Sequence, residues 1–188
     1  MVCMHRKKLL VVIDYQVDFV TGKLGFPEAK EIDAGIANLV QGALAMGDYV
    51  LFTYDTHGDE YLSTREGKAL PIPHCDPASD GWRLYGKTQE VICTTCQTRQ
   101  IYEVRKSCFG MEPRSLHDLA AQIGEIEEIE VVGVVTNLCV LANAVLLQAQ
   151  WPNAAITIDA ALCRAPDPVL HEKALDILEG LQMIVRNR

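Results

Sequence analysis

Residues 129–147, IEVVGVVTNLCVLANAVLL, constrain the fold more than any other stretch. The first half holds Val131, Val132, Val134 and Val135, β-branched residues in an unbroken apolar run, the pattern of a strand buried on both faces. Thr136-Asn137 interrupts it, and a Leu/Ala-rich segment long enough for a helix follows. A strand that passes straight into a helix is the building unit of a parallel α/β sheet. Thr136 or Asn137 is expected to cap the helix with a side-chain oxygen. Cys139 then falls in the first turn, where free N–H groups and the helix dipole favour a thiolate. The other reading of Cys139, a small buried hydrophobe, is what most cysteines are.

The rest of the chain repeats the alternation. Residues 9–13 are continuously apolar and end at Asp14, with Gln16, Asp18 and Phe19 beyond. Residues 28–46 place Ile32, Ile36, Leu39, Val40 and Ala43 at helical spacing, and Gly47 stops the pattern. Residues 49–53 read as a strand ending at Asp55, followed to about Gly86 by a polar, Pro/Gly-punctuated segment too long for a routine connection. A weak helical pattern covers 88–100, and a short strand over 101–105 delivers Lys106. A helix is expected over 114–123 and a strand over 155–158 that ends at Asp159. Asp167-Pro168 opens a further helix with Leu170, Ala174, Ile177 and Leu178 on its inner face. A last strand covers 181–185.

This order predicts one α/β domain over residues 1–188, a three-layer α/β/α sandwich around a mostly parallel sheet of roughly six strands. Such sheets bind ligands at the carboxyl ends of their strands. Asp14, Asp55, Lys106 and the 136–139 turn all sit at such ends.

Composition narrows the function. A 188-residue chain with 49% hydrophobic and 22% charged residues supports one sizeable core and excludes disorder. A net charge of −8 argues against nucleic acid or an anionic membrane as partner. The basic cluster His5-Arg6-Lys7-Lys8 precedes an apolar run too short for a signal-peptide core or a membrane span. A cytoplasmic protein is expected, and its seven cysteines are expected to be reduced.

An acid, an amine and a thiol at one site form a workable acyl-transfer set. Lys106 would lower the Cys139 thiol pKa and orient Asp14, which would relay protons. N–H groups at the helix start would hold the oxyanion. Without the cysteine, Asp14 and Lys106 read as a structural ion pair. None of the five histidines sits in a motif that would serve as the base. Asp55 and His57, two apart in an extended segment, point the same way. With Glu66 and His74 they form a set suited to Zn, Fe or Mn, the alternative being ordinary loop hydrogen bonds. No organic cofactor is expected. Cys93 and Cys96 lack the second pair a zinc ribbon needs, since Cys3, Cys75, Cys108 and Cys163 are isolated; they are read as no site. The acidic run 125–130 reads as a solvated turn.

Three motifs stand in order along the chain: Val12-Ile13-Asp14-Tyr15-Gln16-Val17-Asp18-Phe19, Lys106 with Phe109-Gly110, and Gly133-Val134-Val135-Thr136-Asn137-Leu138-Cys139-Val140. Together they resemble the isochorismatase-like cysteine hydrolases, the group that includes nicotinamidases. The resemblance implies Asp14, Lys106 and Cys139 as a catalytic triad. It also implies a cis peptide at Val134–Val135 and an oxyanion hole from the Val135 and Cys139 N–H groups. Asp55, His57, Glu66 and His74 resemble the metal set of nicotinamidases with a glutamate ligand, where the ion holds the substrate's pyridine nitrogen. Leu70 and Pro71 stand where that branch carries an aromatic residue; Phe19 is available as an aromatic wall of the substrate pocket. The implied activity is hydrolysis of a small amide, nicotinamide to nicotinate and ammonia, through a thioester on Cys139. The alternatives are a C–N or ether hydrolase of the family that makes no catalytic use of a metal, and a non-catalytic binding protein. The expected partners are a small-molecule amide and further copies of the chain in a homo-oligomer.

Overall fold

The computed structural model describes residues 7–95 and 99–188. In chain order it contains β1 (Lys8–Ile13), α1 (Val17–Val20), α2 (Pro27–Glu31), α3 (Asp33–Met46) and β2 (Tyr49–Asp55). Next come α4 (Arg65–Ala69), α5 (Gly86–Thr95), β3 (Ile101–Lys106), α6 (Pro113–Ile123) and β4 (Glu128–Val134). The last elements are α7 (Leu141–Gln150), β5 (Ala155–Arg164), α8 (Pro168–Gly180) and β6 (Ile184–Arg186). The six strands form one sheet in the order β3-β2-β1-β4-β5-β6, and every neighbouring pair is parallel. β1 and β4, the most uniformly apolar runs, occupy its centre, where both faces must be covered.

Side-chain alternation along β1 divides the core into two layers. Leu9, Val11 and Ile13 pack on one face with Leu116 and Leu119 of α6, Ala144 and Leu147 of α7, and Leu175 and Leu178 of α8. Leu10 and Val12 pack on the other with Ala29, Ile36 and Val40 of α2 and α3 and Val91 of α5. Among the described residues no helix is long and apolar enough to cross a membrane.

Several boundaries differ from the sequence expectation. The helix expected over 28–46 is two helices that meet at Ile32. There Asp33 turns its carboxylate to the start of α5 and accepts hydrogen bonds from Lys87 N, Thr88 N and Thr88 Oγ1. β5 does not end at Asp159 but runs on to Arg164, because the apolar residues after it keep pairing with β4 beyond a register shift at Val131–Gly133. β6 starts at Ile184 rather than residue 181, since the chain leaves α8 through Gln182 at φ 70. On α8 the stripe of Ala174, Leu175 and Leu178 faces the sheet, which turns Leu170 (42% exposed) and Ile177 (51%) outward. Residues 128–130 of the acidic run belong to β4, and Glu128 pairs with Lys8 at 2.7 Å.

Candidate active site

Asp14 follows β1 immediately and adopts φ 45, a conformation few non-glycine residues take. Thr53 on the adjacent strand holds it there: its hydroxyl accepts from Asp14 N (3.1 Å) and donates to Asp14 Oδ1 (2.7 Å). Lys106, the last residue of β3, sends its ammonium across the strand ends. Nζ lies 2.7 Å from Asp14 Oδ2, 3.0 Å from Asp55 Oδ1, 3.0 Å from the Cys108 carbonyl and 3.6 Å from Cys139 Sγ. All four side chains named so far as one site, Asp14, Asp55, Lys106 and Cys139, are buried. Burial alone would drive the Lys106 ammonium to lose its proton, but Asp14, Cys139 and Asp55 overcome this and hold it charged. Burial, above all, pushes the Asp14 carboxyl up, against the pull of Lys106.

The strand-to-helix junction differs from its expected form. The Val134–Val135 peptide is cis, as the resemblance implies. A wide π turn over Thr136–Val140 precedes α7, and neither Thr136 nor Asn137 caps it. The Val135 carbonyl accepts from Leu138 N (3.0 Å) and Val140 N (3.2 Å), so the backbone begins the turn without a side-chain acceptor. The Thr136 hydroxyl turns away to the His171 Nδ1 of α8, at 2.8 Å. The Cys139 thiol is also not the low-pKa group expected. Burial raises it well above its ordinary value, and Asp14 and Asp55 add to that against Lys106 alone.

Asp55, His57, Glu66 and His74 converge on the same strand edge, with one potential ligand atom from each lying within 4.8 Å of all the others. Asp55 Oδ2 is 2.9 Å from His57 Nε2 and 3.3 Å from His74 Nε2, and Glu66 Oε1 is 3.9 Å from His57 Nε2. α4 carries Glu66 into place, and Thr64 caps that helix by accepting from Gly67 N at 2.9 Å. His74 Nδ1 donates to the Ile72 carbonyl at 2.7 Å, which turns Nε2 toward Asp55. Burial opposes the Asp55 charge, yet hydrogen bonds from His57 and His74 and the Lys106 ammonium hold the carboxyl well below the usual range. Two imidazole nitrogens and two carboxylates, sheltered and aimed at one point, fit a divalent cation.

Phe19, at 7% exposure, stands edge-on to His74 with ring centroids 5.5 Å apart. Three supporting residues carried no assigned role in the sequence reading. Gln16 is fully buried and clasps Asp55 from both sides, donating to its carbonyl (3.0 Å) and accepting from its N–H (2.8 Å). Tyr61 packs against His57 and His74 at 4.4 and 5.0 Å between ring centroids. Asn143 joins α7 to the segment after Lys106. A polar residue in a Leu/Ala-rich helix was the one available signal for Asn143; Gln16 stood inside the first motif without a role of its own, and Tyr61 offered no signal. Cys93 is exposed, its sulfur 3.1 Å from Gln89 Nε2, and Cys96 lies outside the described residues. An open groove of about 690 Å³ lies at the amino ends of the strands, beside Lys8, Met46 and Arg186, away from this site.

Comparison with known proteins agrees with the fold. A model of the isochorismatase domain matches residues 8–186. The isochorismatase family protein PncA of Bacillus subtilis is 33% identical over 144 residues, which cover 74% of this chain and 77% of that protein. The crystal structure of nicotinamidase PncA from Bacillus subtilis superposes with a TM-score of 0.83 at 26% identity, covering 95% of this chain and 98% of that one. A pyrazinamidase of Pyrococcus horikoshii in complex with zinc shares the fold, with a TM-score of 0.78 at 19% identity, covering 95% and 98% of the two chains. With family sequence running from the first strand to the last, and the six-stranded parallel sheet to match, this chain belongs to the isochorismatase family of hydrolases.

Proposed function

We propose that the protein is a cysteine-dependent amidohydrolase of nicotinamidase type, in which Cys139 is the nucleophile. The observation that carries this reading is the buried line of carboxylate, ammonium and thiol: Asp14 Oδ2 to Lys106 Nζ at 2.7 Å, and Lys106 Nζ to Cys139 Sγ at 3.6 Å. As the neutral thiol attacks the amide carbon, its proton passes to Asp14, whose burial-raised pKa suits a base. Lys106 stabilises the sulfur charge that develops during the transfer. The Val135 and Cys139 N–H groups receive the oxyanion of the tetrahedral intermediate. Asp14 returns the proton to the departing nitrogen, ammonia leaves, and an acyl thioester remains on Cys139. Asp14 then deprotonates a water that attacks the thioester, and the acid and the thiol are released.

Asp55, His57, Glu66 and His74 would hold a zinc, iron or manganese ion, which when bound supplies a Lewis acid to anchor the substrate's ring nitrogen. His74 presents Nε2 because Ile72 fixes its other nitrogen, and Phe19 beside it supplies an aromatic wall. The similar nicotinamidase and the zinc-bound pyrazinamidase support an aromatic amide as substrate. A cytoplasmic setting fits the five described cysteines, all free thiols. The test is ammonia release from nicotinamide. The protein should catalyse it, and Cys139→Ala should lower kcat by more than about a thousandfold while the fold persists. Activity within about tenfold of the parent would reject the nucleophile.

A further inference from the structure

Strand pairing does not explain how Lys106 meets Cys139. Lys106 ends β3, the edge strand, whereas Cys139 follows β4, and both β2 and β1 lie between them. Three interstrand spacings separate the two strands by about 14 Å. The contact at 3.6 Å therefore depends on what happens beyond the strand ends, where residues 107–112 pass over the sheet edge toward α7.

One side chain fastens that passage. Asn143 is fully buried on α7, four residues past Cys139. Its Nδ2 donates to the Phe109 carbonyl at 3.0 Å and to the Cys139 carbonyl at 2.7 Å. Its Oδ1 accepts from Met111 N at 2.8 Å. Both donors and the acceptor of the amide are engaged in one dry place, so the side chain can neither rotate nor flip without stranding a buried partner. The crossing segment is also pressed close to the helix: a Cβ at Gly110 would lie 2.7 Å from Leu146 Cδ1. Phe109 and Met111 pack against the same core layer as Cys139 and Ala144, but apolar contacts lack direction. The three hydrogen bonds supply it. The Cys108 carbonyl, next in the chain to Phe109, is itself an acceptor for Lys106 Nζ.

We propose that Asn143 is a positioning residue for the hydrolytic reaction, tying the Phe109–Met111 segment to the backbone of Cys139 and so setting the Lys106–thiol separation. The proposal rests on the reading of Cys139 as nucleophile. Misplacement of reacting groups by an ångström costs about a hundredfold in rate, whereas none of the three bonds of Asn143 reaches Phe19 or the Asp55, His57, Glu66 and His74 cluster. Loss of the strap must then fall on kcat and leave KM nearly alone.

Two variants of the full-length, metal-loaded protein test this with nicotinamide as probe. Asn143→Leu removes all three bonds at similar volume. Asn143→Thr keeps a hydroxyl able to reach the Cys139 carbonyl one turn back but cannot hold Phe109 and Met111. Amide exchange at Met111 reports the strap directly. Expected for both is faster Met111 exchange with α7 still protected, kcat lowered at least about tenfold, and KM within about threefold. Faster Met111 exchange with kcat unchanged in either folded variant would overturn the proposal. So would a fall in kcat/KM carried by KM, or failure of both variants to fold, which would make Asn143 a structural residue only. If the parent protein hydrolyses nicotinamide and Cys139→Ala does too, the nucleophile reading fails instead, and the two failures are distinguishable.

Discussion

A buried ammonium has three N–H bonds to place, and Lys106 donates to Asp55, the Cys108 carbonyl and Cys139 Sγ (3.6 Å), with the Asp14 carboxylate beside it as an ion-pair partner at 2.7 Å. Lys106→Met would leave two carboxylates in a dry site with no cation between them. It should lower stability by about 3–5 kcal/mol, read from the denaturant midpoint, and slow iodoacetamide labelling of Cys139. A stability loss under about 1 kcal/mol would show that the carboxylates are paired some other way. His74 sets a pH dependence on the metal set. Its burial favours the neutral ring, but the Asp55 carboxylate and the Ile72 carbonyl outweigh that and raise its pKa above 6.5. A proton and a metal ion compete for the same Nε2 lone pair, so acidification through the raised pKa must weaken binding. Apparent zinc affinity should be lower at about pH 6 than at about pH 8, with protons released on binding; a flat profile would remove His74 from the ligand set. Asp14 and Lys106 were legible because each stands at the end of a recognisable strand, and Cys139 because it falls in the turn where a strand passes into a helix. Thr53, which holds Asp14, was not, since a threonine inside an apolar strand reads as a strand residue and its partner is 39 positions away in sequence.

The strands read most clearly because sheet burial on both faces demands unbroken apolar runs, and β1, β2 and β4 supply them. Element ends were less legible, since tertiary partners decide them. Thr136 looked like a cap, yet its hydroxyl goes to His171, thirty-five residues on, and the turn before α7 is wider than an α-helical start. Leu170 and Ile177 fitted the helical period of α8, but period gives a stripe and not the direction it faces. Gly133 marks a tight contact between two central strands. At φ 119 it brings β4 against the Ile13 backbone of β1, and a Cβ there would collide with that backbone. Gly133→Ala should cost more than about 2 kcal/mol and reduce activity with it, because Asp14 follows Ile13 directly. An alanine variant as stable as the parent would show that the two strands separate easily at that point.

Across the whole molecule, one parallel sheet brings the ends of β1, β2, β3 and β4 to a single edge, and every catalytic or metal-ligating candidate is on those ends, in the turn that follows β4, or on the loop of 56–85 that folds back over them. Lys106 links the two groups, touching Asp14 and Cys139 on one side and the metal-set carboxylate of Asp55 on the other. Elemental analysis of the native protein should find close to one divalent ion per chain, reduced in Glu66→Ala and His74→Ala, with raised KM for nicotinamide in both. The claim on which these expectations rest is covalent chemistry at Cys139. It is tested most directly by mixing the protein with nicotinamide, quenching in acid within a turnover, and mapping the modified peptide by mass. A nicotinoyl group on Cys139, absent from Cys139→Ser and lost on longer incubation as nicotinate appears, is the predicted result. Full turnover with Cys139 unmodified at every quench time, and with Cys139→Ala still active, would contradict it.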